Sequence, residues 1–140
     1  MLNVHRIITG ELEENCYILN IDDNALIIDP GDEGDKIIEY VNSKKYNVLG
    51  ILITHHHFDH VGALDEVKKE YKKAKVIDYK NKGNIDLGPF SFRIINTYGH
   101  TLDSVSYYFE KIIRYLLEIL YLKEQLVILM MKICIQCLKV

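Results

Sequence analysis

Residues 48–53, Val-Leu-Gly-Ile-Leu-Ile, form an apolar run that leads through Thr54 into His55-His56-His57-Phe58-Asp59-His60. Being apolar throughout, where a half-exposed strand would alternate, the run reads as a strand buried on both faces. A fold with material on either side of a sheet is therefore required. The end of that strand carries four of the six histidines within six positions, together with a carboxylate. Residues two apart on a strand project to the same side, so His55 and His57 share one direction. Asp59 and His60 open an amphipathic segment, residues 61–71, and a helix start there turns them back toward the same point. Borderline metals such as zinc take neutral imidazole and carboxylate ligands, so the spacing predicts two adjacent half-sites for metal. A polyhistidine expression tag fits poorly, since tags are terminal and lack the Phe58-Asp59 insertion.

The flanking sequence predicts an α+β fold. Residues 2–8, 16–21 and 25–28 are short apolar runs separated by polar turns, the pattern of a strand meander broken by Asp29-Pro30-Gly31-Asp32. Ile37, Ile38 and Val41 recur at helical spacing over residues 35–44, with Lys36, Glu39 and Lys44 outside. Ala63, Leu64, Val67 and Tyr71 form the inner stripe of a second helix, and Lys68, Lys69, Lys72 and Lys73 its solvated face. Residues 81–88 read as turn-rich, and residues 90–96 and 105–109 as strands.

His-x-His-x-Asp-His after a hydrophobic strand resembles the signature of the metallo-β-lactamase-fold hydrolases. Glu14-Asn15-Cys16-Tyr17-Ile18-Leu19, Ile27-Ile28-Asp29-Pro30-Gly31 and Gly99-His100-Thr101 with Ser104 look like segments of their glyoxalase II-like (hydroxyacylglutathione hydrolase-like) branch. The resemblance covers about residues 2–110, with Tyr98 where that branch usually has Pro and Asp103 where it usually has Gly. It implies the N-terminal part of a four-layer αββα sandwich. It further implies that His55, His57 and His100 hold a first metal, that Asp59 and His60 hold a second, and that Asp59 orients the nucleophile. The cofactor expected is one or two zinc ions, with iron as the other option. The expected reaction is attack of a zinc-bound hydroxide on the carbonyl of a small-molecule thioester. An iron-dependent persulfide dioxygenase shares the fold and much of the motif, and a non-catalytic truncated remnant is a third reading.

The chain has 140 residues and 49% hydrophobic content, suited to one compact domain. A net charge of −3 and a pI near 6.0 offer no basic footprint for nucleic acid. Residues 1–6 show no charged leader with an apolar core, which makes the cytoplasm the expected location. Cys16 sits where a small hydrophobe belongs, and Cys134 and Cys137 have redox or zinc spacing without a second pair.

The composition changes abruptly near residue 111. Residues 112–140 contain no Gly, Pro, Ala, Asp, Asn, Ser, Thr, His or Phe. Arg114, Glu118, Lys123, Glu124 and Lys132 interrupt the segment, so no uncharged stretch approaches the ~18 residues of a membrane span. A permissible codon choice for residues 112–127, read from the third base, encodes Asn-Lys-Ile-Phe-Thr-Gly-Asp-Thr-Leu-Phe-Lys-Gly-Thr-Ile-Gly. That peptide resembles the family's next segment, a strand ending in Gly-Asp-Thr-Leu-Phe. Residues 1–111 are thus expected to be an incomplete metallo-β-lactamase-like domain and residues 112–140 an out-of-frame tail with no defined place in the fold, helical or irregular. The family pattern also needs a bridging Asp and a later His, yet no Asp follows Asp103 and no His follows His100. The chain as it stands is therefore expected to be catalytically impaired.

Overall fold

The computed structural model describes residues 2–109, and both the expected tail and Cys134 and Cys137 lie outside them. Five strands form the first sheet in the order β1 (Leu2–Thr9), β2 (Glu14–Ile21), β3 (Asn24–Ile28), β4 (Asn47–Leu52) and β5 (Lys75–Ile77). The first three make the antiparallel meander expected from their short apolar runs, and β4 and β5 add in parallel. The parallel pairings need crossovers, which α1 (Gly34–Ser43) provides before β4. After β4 the chain runs through α2 (Phe58–Val61) and α3 (Leu64–Glu70) to β5. A second, antiparallel sheet holds β6 (Gly83–Leu87), β7 (Phe90–Asn96) and β8 (Val105–Tyr108).

Alternation along the central strands divides the core in two. Ile18, Ala25, Ile27, Ile51 and Ile53 pack with Ile37 and Val41 of α1 and Val67 of α3. Leu19, Leu26, Ile28 and Leu52 face the other way and pack with Phe90, Phe92, Val105 and Tyr107 of the second sheet. Ile51, Leu52 and Ile53 are wholly buried, and full burial of such a side chain stabilises the fold by roughly 1.5–3 kcal/mol. The register slips between Ala25 and Leu26, so Leu49 has no β3 partner between Val48 and Gly50. Leu49 packs on the inter-sheet core, and a Cβ on Gly50 would crowd Leu26 and Leu87 there, so two successive residues face the second sheet. Without that bulge Ile51 and Ile53 would face the wrong layer.

The described residues therefore build three layers, helices on sheet on sheet, within an α+β architecture. No helical layer covers the outer face of the second sheet among the described residues. Three local expectations need correction. Residues 83–87, read as part of a turn-rich stretch, are strand β6: Leu87 is buried and Ile85 half-buried, while Asn84 and Asp86 point to solvent. The amphipathic segment is two helices, because Gly62 presses against the Gly31 carbonyl and the Ala63 N–H turns to the Pro30 carbonyl. The strand does not itself carry the histidines either. β4 ends at Leu52, and His55 to His57 lie in the loop beyond it.

Candidate metal centre

Thr54 ends the sheet's regularity by turning its polar groups to Asp29. Its N–H donates to Asp29 Oδ1 at 2.7 Å and its hydroxyl to Asp29 Oδ2 at 2.5 Å. Asp29 closes β3 with a positive φ of 50°, and its own N–H is tied to the Leu52 carbonyl at 3.0 Å. The same Oδ2 lies 3.0 Å from His60 Nδ1. His55 Nδ1 lies 3.1 Å from the Thr54 hydroxyl, whose hydrogen is already committed to Asp29. The network assigns the Nδ1–H tautomer to His55, leaving its Nε2 lone pair free, and holds the Nδ1–H of His60 on Asp29.

The three histidines expected at the first half-site do converge. His55, His57 and His100 offer nitrogens all within 4.8 Å of one another, and the ring centroids form a near-equilateral triangle of 4.7, 4.7 and 4.9 Å. His57 Nδ1 and His100 Nε2 are 3.1 Å apart. Two nitrogens ~2.05 Å from one zinc at a tetrahedral angle would stand about 3.3 Å apart, so this spacing suits a shared metal. His55 Nε2 is buried with no hydrogen-bond partner. An orphaned lone pair inside a triangle of imidazoles fits a metal ligand better than a structural histidine. Burial first, then the charge of His60, pushes the His55 pKa down to about 4, so its imidazole is neutral near pH 7 as ligation requires.

His60 stands next to this triangle, its ring centroid 4.1 Å from that of His55. Its Nε2 is 3.8 Å from Asp59 Oδ2, which brings together the two residues expected at the second half-site. The other side of the ring meets a pair of carboxylates that sequence reasoning did not place in the site, Glu14 and Asp29. Burial raises the Glu14 carboxyl to about 8, against the opposing charge of His60. Glu14 Oε2 accepts from Thr9 Oγ1 at 3.1 Å, and Oε1 has no hydrogen-bond partner, lying 3.4 Å from His60 Nδ1. Burial opposes protonation of His60, but the hydrogen bond and charge of Asp29, with Glu14 and Asp59, outweigh it and raise its pKa. Asp29 was visible as the acid of a strand-ending Asp-Pro-Gly; Glu14, two residues before Cys16 on the same face of β2, gave no comparable signal.

Tyr98 and Asp103, the two departures beside His100, do not prevent it from reaching the triangle. His56 lies 2.8 Å from Asp103 and 3.4 Å from Asp78. His5, on β1, stacks on Tyr40 of α1, with ring centroids 4.0 Å apart.

A helix-covered sheet packed on a second sheet, with imidazoles and carboxylates gathered at the strand ends, defines a metal-binding αββ scaffold. The profile described as the metallo-beta-lactamase superfamily matches residues 9–85, and the chain belongs to that superfamily. The probable metallo-hydrolase YqgX of Bacillus subtilis (strain 168) is 36% identical, over 74% of this chain and 64% of that protein. A hydroxyacylglutathione hydrolase of Hahella chejuensis (strain KCTC 2396) is 33% identical, over 61% of this chain and 37% of that one. The crystal structure of BLEG-1 B3 metallo-beta-lactamase superposes with a TM-score of 0.72 at 28% identity, covering 78% of this chain and 68% of that one. The chain spans less than two thirds of the length of these two sequence relatives.

Proposed function

We propose that this chain carries the metal-binding half of a thioester hydrolase, and that zinc is its metal. The observation that supports this most directly is the buried, unpartnered Nε2 of His55 facing His57 and His100. These three residues would hold a first zinc, and Asp59 with His60 would hold a second. Zinc so held supplies a water acidified toward pH ~7 and a Lewis acid for the substrate carbonyl. Asp29 fixes the tautomer of His60 directly and that of His55 through Thr54, so both half-sites are preorganised by one carboxylate. Asp59 has the role of orienting the attacking water. The thioester reading rests on the glyoxalase II-like flanks and on the relatives named hydroxyacylglutathione hydrolase. The substrate is a small molecule.

Within these 140 residues the second half-site has only Asp59 and His60 as its expected protein ligands, since no Asp follows Asp103 and no His follows His100. On this proposal residues 1–111 are the in-frame part of the domain and residues 112–140 are out of frame, which would leave the second half-site of these 140 residues short of ligands and slow on thioesters. No helix of the described residues is long and apolar enough to cross a membrane, and the proposed site of action is the cytoplasm. The test is to load the chain and a version with residues 112 onward restored to the alternative frame with zinc, and to follow thiol release from an acyl thioester. Turnover by the restored version, lost in its His57→Ala variant, supports the reading; comparable turnover by both versions defeats the frame argument. Ferrous iron retained in preference to zinc, with oxygen uptake on a persulfide, would instead make the protein a persulfide dioxygenase.

A further inference from the structure

We infer that Asp103 is a positioning residue that works through His56, clamping the turn that carries His100 to the segment that carries His55 and His57. The inference rests on the three-histidine centre proposed above and adds a determinant of its geometry. Glycine is the residue expected at position 103 from the family resemblance, and the carboxylate there belongs to this chain.

Asp103 Oδ2 accepts two hydrogen bonds from one residue, the His56 backbone N–H at 3.0 Å and the His56 ring at Nδ1 at 2.8 Å. His56 sits between His55 and His57, so the first of these bonds grips the backbone of the ligand segment itself. The far side of the ring is also held, with Nε2 3.4 Å from Asp78 Oδ2 and the ring edge-on to Tyr79 at 5.5 Å between centroids. Asp78 is in turn fixed at the end of β5, where its N–H donates to Asn81 Oδ1 at 3.1 Å and its Oδ1 accepts from the Lys80 N–H at 2.9 Å. The clamp therefore ties the His100 turn to the end of β5 as well as to residues 55–57.

The turn needs such a tie. Tyr98 and Leu102 on either side of His100 are 69% and 91% exposed, so its two large hydrophobic side chains add little packing to hold it down. Its internal bonds, Thr97 N–H to the Ser104 carbonyl and Thr101 N–H to Ser104 Oγ, shape the turn without attaching it to the ligand loop. Besides Asp103, the turn meets the ligand loop at His100 Nε2, 3.1 Å from His57 Nδ1, a contact that a shared metal would replace, and through the Val105 N–H to the Thr54 carbonyl at 2.9 Å, five residues beyond His100. Metal–nitrogen distances tolerate only about 0.2 Å of error, so a loosened turn reads out as lost affinity. A side-chain pair this exposed contributes little to global stability, so the melting temperature is the wrong readout.

The experiment measures zinc and cobalt(II) affinity of the full chain by chelator competition, with the cobalt absorption spectrum reporting ligand geometry. Asp103→Ala and His56→Ala are each expected to weaken binding about 10-fold, the low end of the scale for losing an outer support of a metal site, since the clamp holds the ligand backbone and not a ligand ring. Their metal-free melting temperatures should stay near that of the wild type. Asp103→Asn should recover most of the affinity, because its amide oxygen still accepts both His56 hydrogens. The double variant should be no weaker than either single one. The inference is overturned if Asp103→Ala binds within twofold of the wild type, or if Asp103→Asn is as weak as Asp103→Ala. A wild-type chain that binds no metal, or binds it equally well as His100→Ala, overturns the centre itself and the clamp with it.

Discussion

His57 Nδ1 and His100 Nε2 stand 3.1 Å apart across 43 residues of sequence, with the orphaned Nε2 of His55 completing the group. These three are the full side-chain complement expected of the first half-site, whereas Asp59 and His60 are only part of the second. About one tightly held divalent metal per chain is the expected result of elemental analysis after purification and dialysis. His57→Ala should abolish it, since two imidazoles do not make a closed site. Two metals per chain surviving dialysis would contradict the assignment.

Asp29 accepts hydrogen bonds from the Thr54 N–H, the Thr54 hydroxyl and the His60 ring while itself 4% exposed. Asp29→Ala strands those donors in a site with little water, and each buried unsatisfied group costs roughly 1–3 kcal/mol. With local relaxation, a net loss of about 2–3 kcal/mol is expected from urea unfolding in the presence of a chelator. Asp29→Asn should lose less, because asparagine tolerates the positive φ and keeps one acceptor. Equal stability of Asp29→Ala and wild type would show that the carboxylate does not organise both half-sites.

Much of this architecture was legible along the chain because it depends on local periodicity. The apolar residues of β4, the stripes of α1 and α3 and the His-x-His-x-Asp-His spacing each carry their meaning within a dozen positions. β5 escaped notice because it is three residues long and exposes Lys75, and β6 because its polar residues are those of a turn as much as of a half-exposed strand. The supports of the centre were hidden for a different reason. Asp29 meets His60 across 31 residues and Asp103 meets His56 across 47, and pairings of that range leave no periodic trace.

Gly62 separates α2 from α3, and a Cβ there would collide with the Gly31 carbonyl and approach that of Phe58 at 3.0 Å. Both are backbone atoms, which cannot rotate aside as a side chain would. Gly62→Ala should therefore push α2 off the Pro30-Gly31 turn and cost about 1–3 kcal/mol, the range for overpacking. The displaced helix carries Asp59 and His60, so a larger fractional loss is expected in binding of a second metal than of the first. Unchanged stability in thermal unfolding would refute the close approach.

Asp103 supplies a pH signature. Burial works against ionisation of its carboxyl, but hydrogen bonds from Thr101 and His56 prevail and hold it at about 2, below the ordinary 3.8. A carboxyl whose folded pKa is depressed stabilises the fold above its unfolded pKa and loses that contribution as pH falls through the folded one. Stability of the metal-free wild type should thus decline between about pH 4 and pH 2 by slightly more than that of Asp103→Asn, a small difference because solvent screens so exposed a pair, with the two curves running parallel above pH 5. Parallel curves throughout the acid range would remove the hydrogen bonds assigned to this side chain.

Restoring the alternative reading frame after residue 111 should change the metal count before it changes anything else. The peptide read in the alternative frame would supply the Asp of Gly-Asp-Thr, a carboxylate suited to bridge two cations, and two cations fewer than about 4 Å apart repel strongly unless an anion lies between them. With Asp59 and His60 alone, a second zinc beside the first lacks that compensation. The restored chain is expected to retain close to two zinc ions through dialysis where the present one retains about one. It should also resist unfolding better, because an added strand would pair with an edge that is open among the described residues. Thiol-release turnover should rise with the second equivalent of zinc in a titration. A restored chain that still holds one zinc and gains no turnover would remove the reason for reading residues 112–140 as out of frame.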